Sequence, residues 1–531
     1  MRMLWLMLLV LHGCAALAYA QEQTLVERYP SSQLHRSTSW YSMYLRDHSN
    51  VFDVIRAMNA DPSLRQGARS REWKQVTRWL SRKRAFADEQ GNVVTTAASW
   101  SDIEIVRSTK IVDDVQADDR WQSIGPFGFD PEARMATGSQ GVGVVRCHVT
   151  DSRNRSLIIA GTISAGIWRS TDAGRIWTNI GVDLPIQSVH RLAMSGSTVY
   201  AATDHGLYVS NDAGVAFRRV QLTGAAATLE PTGVDQCATA PTDPQRVVIA
   251  AQGRLFLSTN GGATWSNASN FQGTWWDLQW HGSRNDVAYG LVQMGSHIAF
   301  ARTRNAGVKF DTVGVGYPLP MPDRVMARAL LGLTPADPSF VSVMIAGEIR
   351  NGPSGVYGLY VSRDQGSTFE HRCCGAIDGP EPVDTLTNKN LFAYAPNENG
   401  LGQVTWDMGF AVSSRDTSIM VAAGIFPYLS TNGGRSWSSM PPLHYDIQSV
   451  SIVGDTIWLT HDGGIATSPD RGRTIIDRSF GISALEIWGF DQSHDGRIMT
   501  LGAYHMPIFI RDTTVYNNAL CGVITCNNAG K

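Results

Sequence analysis

Ser170-Thr171-Asp172-Ala173-Gly174-Arg175-Ile176-Trp177 is the stretch on which the fold turns. It follows a short β run, Gly166-Ile-Trp-Arg, and reads as a hairpin corner. An Asp or Asn side chain can accept hydrogen bonds from backbone about two residues on and shape a turn. A glycine supplies the positive φ that the corner requires. The aromatic opens the next strand and covers the turn. One such stretch is weak evidence; its recurrence is not. Ser210, Asp212, Gly214 and Phe217 repeat the pattern, as do Ser258, Asn260, Gly262 and Trp265. A degenerate copy has Thr303, Asn305, Gly307 and Phe310, and a fifth has Ser362, Asp364, Gly366 and Phe369. Ser430, Asn432, Gly434 and Trp437 form the sixth, and Ser468, Asp470 and Gly472 the seventh, where Ile475 replaces the aromatic.

The copies begin 40, 48, 45, 59, 68 and 38 residues apart. Self-similarity at this period marks a propeller or solenoid, and the length suits four short strands per unit. The reading is an all-β β-propeller of four-stranded blades, with enlarged loops at Asp311–Arg324 and Cys373–Val404. Trp121-Gln-Ser-Ile-Gly125 echoes Trp177-Thr-Asn-Ile-Gly181, the outermost strand after the first copy. Glu486–Phe490, Arg497–Leu501 and Pro507–Arg511 look like three strands lacking a fourth. The sequence therefore predicts that Trp121–Ile124 completes a last blade and closes the ring. Eight blades are preferred on this reading, with seven as the alternative.

Outward from the repeat, the expected organisation is a signal peptide over 1–20, a helical segment over 21–120, the propeller over 121–512 and a tail over 513–531. Arg2, the apolar run Leu4–Leu11 and Ala18-Tyr19-Ala20 have the layout of a cleaved secretory signal. Leu11-His12-Gly13-Cys14 loosely resembles a lipoprotein box, a less favoured alternative. No later run reaches the ~18 apolar residues of a membrane-spanning helix. Val51–Met58 reads as a helix capped by Asn50. Ser70–Ala87 reads as a second, with Trp73, Val76, Trp79 and Leu80 on one face. Its basic side reads as solvated, with attachment to a membrane surface as the alternative.

Of seven cysteines, Cys14 leaves with the signal, and six remain for an oxidising compartment. Cys521 and Cys526 can close a small loop, whereas Cys373 and Cys374, being adjacent, are expected to bond elsewhere because a ring of neighbours is strained. Zinc-type CxxC spacing is absent. The chain of 531 residues is 43% hydrophobic and 17% charged with net charge −2, and it has no block of like charge, so a nucleic-acid partner is unsupported.

The repeats resemble those of the Asp-box (BNR-repeat) propellers, a group that includes sialidases, two-propeller xyloglucanases, sortilin-type receptors and photosystem II assembly factors. Gly161-Thr-Ile-Ser-Ala-Gly-Ile-Trp-Arg-Ser-Thr-Asp172 is similar to the first blade of secreted bacterial propellers described as sortilin-like or glycosyl hydrolase-like. Trp73-Lys, Arg78-Trp79, Gly402-Gln403, Trp406-Asp407, His444-Tyr-Asp446 and His461-Asp-Gly-Gly464 extend the likeness over nearly the whole mature chain. The resemblance implies fold and export. It implies little about activity, since the boxes lie away from active sites in the enzymes that carry them. By that account Asp172, Asp212, Asn260, Asn305, Asp364, Asn432 and Asp470 are structural.

Candidate chemistry sits instead where inner strands begin. Trp276-Asp277, Trp406-Asp407 and Tyr445-Asp446 repeat one pattern, and the start of an innermost strand lies at the mouth of a propeller channel. Asp277, Asp407 and Asp446, with His190, His444 and His461, are the candidate binding residues. Such a ring can hold a cation or a sugar, or it can bind only channel water and cap backbone amides. No cofactor is expected beyond a possible cation, and no metal ligand set is assigned. Trp275, Trp276 and Trp280 are read as core aromatics in preference to a sugar platform.

Sialidases carry an Arg-Ile-Pro motif, which is absent here. The xyloglucanases place a catalytic Asp in a Thr-Asp-x-Gly-Gly segment of an early blade, and the matching Gly161–Gly166 holds no carboxylate. Asp204 in Thr-Asp-His-Gly and Asp462 in His-Asp-Gly-Gly are the remaining weak catalytic candidates. The leading expectation is a secreted or cell-envelope propeller that binds an extracellular protein or a polysaccharide without catalysis. The alternative is a xyloglucanase-like glycoside hydrolase using paired Asp residues.

Overall fold

The structure, a computed structural model, describes residues 50–60, 80, 90–92, 141–151, 153–181, 184–229, 232–319, 324–349, 354–374, 390–392, 403–494, 498–503, 508–512 and 521–522. The signal segment, the Trp121 strand and Cys526 lie outside them, as does the predicted second helix apart from Leu80, which is helical. The chain divides into two compact units, 1–120 and 121–531. In the first, helix Val51–Ala60 starts where Asn50 Oδ1 accepts the amides of Phe52 (3.0 Å) and Asp53 (3.2 Å). Among the described residues no helix is long and apolar enough to cross a membrane.

The second unit is a β-propeller. Its strands form four-stranded antiparallel sheets, each a meander in chain order. Blades 1 to 7 span 145–179, 189–220, 236–267, 274–312, 324–373, 409–439 and 447–477. Each inner strand lies against the next, and Ile447–Val453 of blade 7 lies against Val145–Thr150 of blade 1, so seven blades close the ring. The apolar core tells the same count. Seven clusters of buried side chains fill the seven gaps between neighbouring blades. The last of them joins Trp458 and Ile465 of blade 7 to Ile158 and Trp168 of blade 1. The middle strands, such as Ile158–Thr162 and Val247–Ala251, are buried along their whole length because a blade is covered on both faces.

The favoured count of eight thus gives way to seven, the alternative. The three C-terminal strands do form a sheet, and its fourth member is Cys521–Gly522, in the place assigned to Trp121–Ile124. Yet Ile487 at its edge is 57% exposed, and among the described residues none of the seven core clusters takes a side chain from it. The sheet follows a ring that is already closed. Strand counting could not reveal this, because closure depends on which inner strands meet.

The repeat hairpins are built alike. In the first, Ser170 Oγ donates to Asp172 Oδ1 (2.8 Å) and accepts the Gly174 amide (2.9 Å), while Asp172 Oδ1 accepts the amides of Arg175 and Ile176 (both 3.0 Å). Two consecutive residues take positive φ, for example Arg471 (61°) and Gly472 (86°). The turn therefore asks more than its one invariant glycine suggests, and the hydrogen bonds offset the cost at the non-glycine position. At Asp364, desolvation acts upward but is outweighed by hydrogen bonds from Thr368, Ser362 and Ser367, which hold the carboxyl at about 2. At Asp470 the Thr474 amide leads, against desolvation, with the same result of about 2. Since these folded values lie below the ordinary 3.8, the contribution is complete above that pH and is lost as pH falls toward 2. Thermal melts between pH 4 and 2 should therefore show a fall in Tm that is shallower in an Asp364→Asn, Asp470→Asn double variant. An unchanged slope would remove these carboxylates from the acid transition.

Cys373 and Cys374 are bonded to each other, which corrects the expectation that each would pair elsewhere. The described free thiols, Cys147 and Cys237, could not serve them. They are buried in the gaps between blades 1 and 2 and between blades 2 and 3. Burial pushes them up to about 11 and about 12, so both stay protonated.

Candidate functional site

Five inner strands slip register by one residue near their start: at Val145/Cys147, Val189/Arg191, Trp275/Asp277, Met326/Arg328 and Ile447/Ser449. A bulge of this kind re-aims the extra side chain. The bulged residues are therefore Arg146, His190, Trp276, Ala327 and Gln448. Those directly after the bulges include Arg191, Asp277 and Arg328, at equivalent positions around the channel. A cavity of about 430 Å³ occupies the channel, bounded by all seven inner strands and running from Arg191 and Gln279 toward Pro241, Pro335 and Ser414.

The predicted site residues separate into two groups. Asp277, 1% exposed, is fully engaged. Its carboxylate accepts Arg191 Nη2 (2.8 Å), Gln279 Nε2 (2.8 Å) and the Leu331 amide (2.9 Å), which ties blades 2, 4 and 5 together. Asp407 and Asp446 do come together, and the third member of their group is Asp462. One oxygen from each lies within 4.8 Å of the others, and all three are buried. Local structure places them. Asp407 ends a turn in which its amide donates to Gln403 O (3.0 Å), Asp446 has φ 66°, and Asp462 occupies the hairpin between strands Thr456–His461 and Gly464–Ser468. Gln448, absent from the sequence-based candidates, donates through Nε2 to Asp407 (2.9 Å) and Asp462 (2.7 Å). Three carboxylates this close have the donor set of a hard cation; the cluster alone assigns no ion.

His444 and His461 stack with centroids 5.5 Å apart, and His461 Nδ1 accepts the Gly463 amide (3.2 Å). His190 is elsewhere, its Nδ1 on Val234 O (2.9 Å). Asp204 is held within its own blade, where it accepts the Ser188 amide (3.1 Å) and faces His205 Nδ1 (2.9 Å). Trp275 and Trp280 are buried in the gap between blades 3 and 4, and Trp276 is half-buried beside the channel.

His148 escaped sequence reading because its partners lie some 300 residues away. Its ring bridges Ser449 Oγ (3.2 Å) and Ser451 Oγ (2.6 Å) across the junction of blades 1 and 7. Burial, with Arg191 adding to it, pulls its pKa down from 6.5 to about 4. The unfolded chain takes up a proton near 6.5 and the folded one does not. Stability is therefore undiminished above that pH and declines as pH falls toward 4, by on the order of 1–3 kcal/mol. The variant His148→Gln should flatten the pH 4–6.5 segment of the stability profile, and a profile identical to the parent's would exclude His148 as its source.

No family model matches the chain, and no curated protein matches it in sequence. Similar solved structures include the GH74 xyloglucanase from Xanthomonas campestris, 14% identical over 70% of this chain and 60% of that one, with a TM-score of 0.49. YCF48 bound to a D1 peptide is 12% identical over 61% of this chain and 92% of that one, with a TM-score of 0.42. PorZ, a bacterial surface component of the type-IX secretion system of Porphyromonas gingivalis, is 12% identical over 71% and 46%, also at 0.42. This chain spans 60% of the length of the Xanthomonas enzyme and of the GH74 enzyme from Niastella koreensis. At these identities and scores the likenesses carry nothing about ligand or reaction.

Proposed function

We propose that the chain is a secreted or cell-envelope binding propeller that takes a polysaccharide or an extracellular protein at its channel mouth, without catalysis. The observation that carries this reading is the state of the candidate carboxylates. A glycosidase needs two that flank an open cleft, ~5–9.5 Å apart. Here Asp462 is buried against Asp407 and Asp446 within 4.8 Å, and Asp204 is occupied by Ser188 and His205. Beside that buried core Gln448 supplies an amide, and elsewhere along the inner strands Trp276 supplies an indole, groups that serve recognition and do not transfer protons. The full chain should bind members of a glycan and peptide array while leaving β-glucans uncut. Turnover of a β-glucan that Asp204→Asn or Asp462→Asn abolishes would replace binding by hydrolysis.

A further inference from the structure

Arg328 has a hydrogen-bond inventory that does not close. Its guanidinium lies over the Trp276 ring, 5.9 Å from the centroid, and Nη1 donates to Trp406 O (2.9 Å). Its Nε is buried with no hydrogen-bond partner, and among the described residues no carboxylate forms an ion pair with it. Two aspartates stand within electrostatic reach, Asp277 and Asp407, but each has other donors. Asp277 serves Arg191, Gln279 and Leu331, and Asp407 accepts Gln448. Two further guanidiniums, Arg146 and Arg191, also act on it; burial foremost, then Arg146, brings Arg328 down to about 10, so it is still charged at neutral pH. A partly desolvated cation with an idle N–H is costly; Asp277 and Asp407 offset its charge without filling that N–H, which leaves it open to a further acceptor. A planar carboxylate fits a guanidinium edge best. Solvent reaches the same place, since Arg146, the bulged residue of blade 1, is exposed and Arg328 is only half-buried.

We propose that Arg328, assisted by Arg146, binds the carboxylate of an acidic sugar at the channel mouth. The choice of a uronic acid over an acidic peptide follows from the neighbours. With the Gln448 NH2 donating to Asp407 and Asp462, the Gln448 amide oxygen and the Asp407 carboxylate are left as acceptors that match sugar hydroxyls, and the Trp276 indole supplies a ring beside the cation. The inference rests on the binding reading above and narrows its ligand class.

The test titrates the full chain with sodium D-glucuronate, D-glucose and an acidic hexapeptide, by calorimetry and thermal shift. Glucuronate should bind and raise Tm, while glucose should do neither. Arg328→Met should weaken glucuronate at least tenfold and leave the ligand-free Tm equal to or above the parent's, because it removes a partly desolvated charge whose Nε has no hydrogen-bond partner. Arg146→Gln, at an exposed position, should weaken binding several-fold with Tm unchanged, and it keeps the test decisive if the Arg328 variant does not fold. Glucuronate binding that survives both changes, or tighter binding of the peptide at this site, overturns the proposal. Array binding confined to neutral glycans overturns it too, while leaving the binding reading intact.

Discussion

Asp277→Ala is expected to cost about 3–5 kcal/mol of stability, because removing one member of a buried ion pair strands the other. The change strips the partner from Arg191 and leaves the Leu331 amide and the Gln279 side-chain amide without their acceptor. These groups belong to blades 2, 4 and 5, so one carboxylate links three sheets across the channel. Asp277→Asn keeps an acceptor oxygen and should cost much less. Denaturant unfolding of both variants checks this. A difference under 1 kcal/mol between the alanine variant and the parent would mean that the pair does not brace the ring.

Gly143→Ala should destabilise by about 3 kcal/mol or more, since it combines a left-handed backbone with overpacking. Gly143 has φ 110°, and a Cβ there would stand 1.8 Å from Ala484 O. It sits where the ring closes. Val142 N donates to Gly463 O (2.9 Å), Ala484 N donates to Val142 O (2.7 Å), and Gly143 pairs with Ala484 as an isolated parallel bridge. Gly295 is the control. It also has positive φ (67°), but its added Cβ would meet nothing within 4 Å. Gly295→Ala should cost only about 1–2 kcal/mol. Equal losses at the two sites would show that φ alone decides, and that closure is not tight at Gly143.

What could be read in the sequence is what is local. The Ser-x-Asp-x-Gly hairpins declare themselves because the bonds made by their Ser and Asp side chains fall within four residues, as from Ser170 to Gly174. Asp407 and Asp446 were findable because both precede an inner strand, and that position fixes where they stand. Asp277 shares the pattern and nevertheless lies apart from them. Its fate is set by Arg191, 86 residues away, which no local rule connects to it. Asp462 is legible from its hairpin segment and from its nearness in the chain to His444 and His461, whereas Gln448, Arg328 and Arg146 give no such signal. A one-residue bulge aims or offsets these last three, and a bulge leaves no mark in an alternating pattern. The preferred count of eight gave way to the alternative of seven for a related reason, since a four-stranded sheet looks the same inside a ring or after it.

The closure at Gly143 has one more consequence. Every blade of the ring takes all four of its strands from one continuous stretch, and among the described residues no strand from one end of the chain completes a blade at the other. Order along the chain and order around the circle therefore coincide. Assembly can proceed blade by blade from neighbouring pieces, as in solenoid repeats, and only the final docking of blade 7 on blade 1 must await distant residues. That seam is also where the circle can part without unravelling any sheet. A permuted gene that begins at blade 2 and ends with blade 1 would preserve every sheet and move only the covalent break.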